Sequence, residues 1–192
     1  MDAARGRELA DRILALAEQA GRPDAAAYGH WARLLLFINA APDGAQAVEA
    51  GGPAPALARE HGLTELEAYV LNDIGRAYAV AKHMDQAFAS FAAAYERWRA
   101  LGNEPMMADS LGIWSEGLLL YGNLAEAERI AREGLDVGRR IGNPWAQAFN
   151  GLSMTYSLLE QGQMSEALPL LRATVDRAMQ VGFPSLGGSS AV

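Results

Sequence analysis

The chain has 192 residues, 51% of them apolar, a formal charge of -7 and no cysteine. That length suffices for one well-buried domain, and no Pro/Ser-rich or like-charged stretch divides it. The acidic balance excludes the basic stripe that a nucleic-acid footprint needs, and the lack of cysteine excludes a disulfide framework and thiolate chemistry.

At the N-terminus, Asp2, Arg5, Arg7 and Glu8 put charges where a signal peptide would carry its apolar core. The most apolar run, residues 34–38, is too short to span a bilayer, so a cytoplasmic protein without a membrane segment is expected. Residues 7–21 match residues 128–142 in pattern, with Leu9, Leu14 and Leu16 in the places of Ile130, Leu135 and Val137. Residues 2–21 therefore read as the second half of a repeating unit.

From there the chain repeats. Gly62, Gly102, Gly142 and Gly182 stand forty residues apart, and Pro105, Pro144 and Pro184 follow three of them. Set against itself at that offset, the chain aligns Trp31 with Leu71, Leu111 and Gly151, then Leu34 with Ile74, Trp114 and Met154, then Ile38 with Tyr78, Leu118 and Leu158. These three columns form one helical stripe, because residues three and four apart share a face. The next column, Pro42, Lys82, Gly122 and Gly162, marks a break, and Ala47, Ala87, Ala127 and Ala167 then open a second helix at a close seam. Each unit is thus a helical hairpin, with repeats at about 24–62, 64–102, 104–142 and 144–182.

The first unit departs from the rule. Gly51, Gly52, Pro53, Ala54 and Pro55 interrupt its second helix, so a loop is expected there with a short helix at about residues 56–61. The second unit opens at Thr64, read as an N-cap with Glu67 three residues on. Asn103-Glu104-Pro105 and Asn143-Pro144 switch the chain into the third and fourth units, since proline is tolerated in a first helical turn. After Pro184, residues 185–192 are too glycine-rich for a capping helix and read as a flexible tail. With no polar cap at either end, self-association through the ends is a further expectation.

The pattern resembles the tetratricopeptide repeat, whose signature places a large apolar residue at position 4, Leu at 7, a small residue at 8, an aromatic at 11, Ala at 20, an aromatic at 24 and Ala at 27. Leu71, Ile74, Gly75, Tyr78, Ala87, Phe91 and Ala94 follow it in the second unit, and Leu111, Trp114, Ser115, Leu118, Ala127, Ala131 and Gly134 in the third. The usual unit has 34 residues. The longer form here looks like the arrays of bacterial LuxR-type ATP-dependent regulators and nucleotide cyclases. The resemblance covers roughly residues 25–182 and implies an all-α, right-handed α-α superhelix of antiparallel helix pairs, a single solenoid over residues 1–184.

No phosphate-binding glycine loop, HExxH or Gly-x-Ser-x-Gly occurs, so no enzyme is expected and no cofactor is assigned. His30, His61 and His83 lack ligand spacing, and His61 and His83 read as polar residues at helix ends. Glu128 with Arg132, Arg129 with Glu133, and Asp136 with Arg140 read as i,i+4 pairs on a solvated face.

In tetratricopeptide arrays the first helix of each pair lines a concave groove. Carried over, that resemblance implies a groove of Arg33 and Asn39 in the first unit, Tyr69, Asn72, Asp73 and Arg76 in the second, Asp109 and Glu116 in the third, and Phe149, Ser153 and Tyr156 in the fourth. Aromatic rings beside hydrogen-bonding groups suit capture of a peptide or helix. Two intramolecular readings stand beside this one: Asp73 pairs with Arg76, and Tyr69 and Phe149 pack between units. A compact small-molecule effector in the groove is the alternative occupant.

Overall fold

The computed structural model describes residues 3–39 and 43–182, which form ten α-helices and no strand. In chain order these are α1 (Ala3–Gln19), α2 (Pro23–Asn39), α3 (Gly44–Gly51), α4 (Ala54–Glu60), α5 (Thr64–Val80), α6 (Met84–Leu101), α7 (Glu104–Tyr121), α8 (Leu124–Arg140), α9 (Pro144–Glu160) and α10 (Met164–Val181). Among the described residues no helix is long and apolar enough to cross a membrane. The described residues fall into two compact units that part between Arg97 and Trp98, within α6.

The turns explain the helix ends. Gly62, Gly102, Gly142 and Gly182 adopt φ of 68°, 66°, 65° and 62°. In this left-handed region a Cβ costs energy, which is why glycine recurs there. On the entering side, Asn103 Oδ1 accepts from the Met106 N–H and Asn143 Oδ1 from the Ala146 N–H, both at 3.2 Å. Pro105 and Pro144 lie in the first turns of α7 and α9, where the missing N–H would have no intrahelical partner.

In the first unit α1 lies antiparallel to α2. Arg7 meets Phe37, Asp11 meets Arg33 and Leu14 meets Gly29, so one residue number falls as the other rises. Leu34, Ala47, Ala58, Val70 and Ile74 form the core beneath α2 to α5. The seams depend on small residues: a Cβ on Gly75 would come within 2.5 Å of the Phe91 ring, and one on Gly44 within 2.4 Å of the Ala81 nitrogen. Phe91, 1% exposed, contributes the roughly 1.5–3 kcal/mol that burial of such a side chain brings, and it can pack closely on α5 because position 75 has no side chain.

In the second unit Gly134 faces Asn150 and Gly138 faces Ala146, which makes α8 and α9 antiparallel. Ala131, Leu135, Met154, Leu158 and Ala167 form the core shared by α8, α9 and α10. Ser115, the small residue of its unit, donates from Oγ to the Ala127 carbonyl at 2.8 Å and ties α7 to the start of α8. α10 carries Pro169 in its second turn, and its exposed ring occupies the outer side of the helix.

Four expectations change. The break in the first unit is confined to Gly52 and Pro53, and α4 begins at Ala54, because Pro53 and Pro55 fall at a helix start that tolerates them. Leu63, not Thr64, occupies the cap position of α5 and makes no side-chain cap bond. Glu67 instead turns inward to Arg59 and Arg97. Asp136 pairs with Arg139 at 3.3 Å, while Arg140 reaches across to Glu104 at 2.6 Å, because a long guanidinium finds an acid on the neighbouring helix. The Glu128–Arg132 and Arg129–Glu133 pairs form as read, at 2.6 and 3.7 Å. Pro42 and the tail 185–192 lie outside the described residues.

Candidate interaction surface

Within each unit two first helices of successive pairs lie side by side, α2 with α5 and α7 with α9, and a polar residue ties them together. In the first unit the Trp31 indole N–H of α2 donates to Asp73 Oδ2 of α5 at 2.7 Å, forty-two residues on. In the second unit Asn150 of α9 donates from Nδ2 to the Ala108 carbonyl of α7 at 2.9 Å, also forty-two residues apart. Within each unit, then, one polar cross-tie joins two first helices, α2 to α5 and α9 to α7.

Around Asp73 the tie becomes a cluster. The Trp31 and Tyr69 rings stack with centroids 5.6 Å apart and planes at 27°, and Arg76 reaches Asp73 Oδ1 at 3.5 Å. Burial pushes the Asp73 carboxyl above its ordinary pKa, while the Trp31 hydrogen bond and the Arg76 charge pull it back. The ring pair and the carboxylate are therefore a rigid, partly dry joint between α2 and α5.

Of the groove residues in this unit, Arg33 turns toward α1, with Nη2 2.6 Å from Asp11 Oδ1, and Asn39 is exposed at the end of α2, donating to the Leu35 carbonyl. Asn72 is 3% exposed and faces the interior rather than solvent. Tyr69, Asp73 and Arg76 are the cluster just described.

In the second unit, Asp109 and Phe149 occupy equivalent positions on α7 and α9, as do Glu116 and Tyr156. Phe149 lies over α7 at Gly112, where a Cβ would come within 2.6 Å of its ring, so it packs between first helices as Tyr69 does. Ser153 is buried at 5%, Asp109 is half-buried, and Glu116 and Tyr156 face solvent, the tyrosine 52% exposed. The helical spacing of Phe149, Ser153 and Tyr156 puts them on one face, yet Phe149 is half-buried, Ser153 is covered and Tyr156 is open to solvent.

One concave feature was not legible in the repeat columns. A cleft of about 410 Å³ opens between α1, α2 and α3, lined by Arg7, Asp11, His30, Arg33, Phe37 and Glu49 among others. The Arg7 guanidinium lies 5.5 Å from the Phe37 ring centroid, the geometry of a cation–π contact. His30 Nδ1 is 3.0 Å from the Ala50 carbonyl, and the ring also borders a second cleft toward Arg22. The only sequence signal for this place was the half-repeat, which brings α1 against Arg33. Among the described residues no group of three or more His, Cys, Asp or Glu is arranged to hold a metal.

The chain matches no protein-family model, and no curated protein matches it.

Proposed function

We propose that the chain is a tetratricopeptide-like scaffold that captures a protein or peptide on the first helices of its pairs, as an interaction or regulatory module of a bacterial signalling or transcription-regulatory protein. The observation that carries this reading is the equivalence of Glu116 and Tyr156. They stand forty residues apart on neighbouring helices, both open to solvent, on α7 and α9 whose spacing is held by the Asn150 tie. A rigid ring offers contact area at little entropic cost, and a carboxylate beside it fixes the register of a bound segment.

Panning a displayed random-peptide library against the chain tests this. Selected peptides should bind the Tyr156→Ala, Glu116→Lys double variant at least about tenfold more weakly, with helicity unchanged. Equal binding to both proteins would sink the reading.

A small-molecule sensor is the second reading, favoured by the cleft between α1, α2 and α3. Its volume of about 410 Å³ lies within the range of ligand pockets, and it offers charges of both signs. Tryptophan fluorescence in a metabolite screen should then show saturable quenching that Arg33→Ala abolishes.

A further inference from the structure

We propose that the cleft between α1, α2 and α3 binds an extended zwitterion, a short molecule with a carboxylate at one end and an ammonium at the other, set between Arg7 and Glu49. This inference rests on the small-molecule reading of the cleft and names the chemistry of its ligand.

The walls of the cleft run antiparallel to its floor, α2. Arg7 of α1 lies over the Phe37 ring at 5.5 Å, and Asp11, one turn later on α1, meets Arg33, one turn earlier on α2, at 2.6 Å. On the other wall the Asp43 N–H, just before α3, donates to the Phe37 carbonyl at 3.3 Å, whereas Gly51 at the end of α3 faces Leu34 and Ala50 meets His30. The Arg7 charge therefore stands level with Phe37 at one end of the cleft. Glu49, the neighbour of Ala50, stands toward the level of His30 at the other. Seven steps along α2 separate those levels, roughly 10 Å at the rise of a helix.

The polar groups of the cleft divide into those already matched and those left over. Arg33 and Asp11 neutralise each other. His30 donates from Nδ1 to the Ala50 carbonyl at 3.0 Å, since a carbonyl only accepts. Arg7 and Glu49, both exposed, have no ion pair among the described residues, although they are opposite in sign and line the same cleft from opposite walls. A guanidinium takes a carboxylate through paired N–H donors, and a carboxylate takes an ammonium through charge-assisted hydrogen bonds. A ligand with both groups matches both walls at once, whereas a ligand with one charge leaves the other wall unmatched. Leu36 and Phe37, half-buried, give the floor an apolar strip for the body of the molecule. The span argues against a free α-amino acid, whose two charges are borne on a single carbon. Three extended residues reach roughly 10 Å, so a tripeptide or an ω-amino acid of similar length has the matching chemistry.

Isothermal titration calorimetry on the full chain with trialanine and with ω-aminooctanoate tests the proposal. Saturable binding with a Kd below about 10 mM is expected for at least one of them, and the tighter binder distinguishes peptide from ω-amino acid. Arg7→Ala should weaken that probe at least about fivefold and leave its C-terminal amide, which lacks the carboxylate, unaffected. Glu49→Gln should weaken the probe likewise and leave its N-acetyl form, which lacks the ammonium, unaffected. Both side chains are exposed, so the circular dichroism spectrum should not change. Absence of saturable heat from both probes overturns the proposal. So does equal weakening of the zwitterion and its capped forms, or alanine binding as tightly as trialanine. A singly charged metabolite whose quenching Arg33→Ala abolishes would leave the small-molecule reading standing and overturn the zwitterion alone.

Discussion

Trp31 hands its indole N–H to Asp73 across 2.7 Å, and by that bond the first helices of two successive pairs are joined. The acceptor is mostly buried, and burial raises its pKa against the pull of Trp31 and Arg76. The native state therefore keeps the Asp73 proton to a higher pH than the unfolded chain does. Stability relative to Asp73→Asn is fully present below the ordinary Asp value, near 4, and is lost as pH rises through the raised folded value. Urea midpoints for both proteins across the acid range should converge or cross in that direction. Trp31→Phe removes one of the interactions favouring the carboxylate and should steepen the dependence. A difference between wild type and Asp73→Asn that does not vary with pH would refute the assignment.

Glu67 is 3% exposed and carries two arginines, Arg59 at 2.8 Å to Oε1 and Arg97 at 3.0 Å to Oε2. The guanidiniums are far more exposed than the carboxylate, at 62% and 42%. Removing the acid lets them return to water, whereas removing both bases strands a charge inside. Glu67→Gln should thus cost about 1 kcal/mol, and Arg59→Ala with Arg97→Ala more, on the order of 2–3 kcal/mol after allowance for solvent reaching the vacated space. Chemical denaturation decides the order, and a double variant less damaging than Glu67→Gln would contradict the burial argument.

Lys82 has φ of 66°, the one non-glycine residue in the left-handed region among the described residues. Its repeat equivalents Gly122 and Gly162 have φ of 83° and 75°. The strain of a Cβ at this turn is removed by Lys82→Gly, which should stabilise the protein by roughly 0.5–1 kcal/mol. A rise in Tm is the expected result; a fall would mean that the lysine side chain contributes more than its backbone costs.

These positions show what the forty-residue spacing could reveal. Helix ends were legible because a left-handed turn selects glycine and a first turn tolerates proline, whatever lies elsewhere in the chain. Seams were legible as columns of small residues such as Ala127 and Ala167, both fully buried. The polar contacts were not, because an arginine or an indole reaches far enough to choose among several partners: Trp31 stood in an apolar column yet serves as a donor, Glu67 reads as a capping residue yet points inward, and Arg140 passes its i-4 acid for Glu104. Depth on the first helices was likewise hidden. Asn72 and Ser153 share spacing with exposed neighbours, but only packing against the next helix decides that they are covered.

The α8–α9 seam offers the sharpest test of packing. Asn150 is fully buried, donates from Nδ2 to the carbonyls of Ala108 and Ala146, and leaves Oδ1 with no hydrogen-bond partner among the described residues. That oxygen lies against the backbone of Gly134, where an added Cβ would sit 2.0 Å away. Gly134→Ala must therefore displace the amide and break the tie to α7, at a cost of about 2–3 kcal/mol from overpacking and lost bonding together. Asn150→Ala removes the obstacle, so Gly134→Ala made in that background should cost less than about 1 kcal/mol. A double-mutant cycle by urea denaturation measures the coupling, and additive effects would show that the glycine is not there to admit the asparagine.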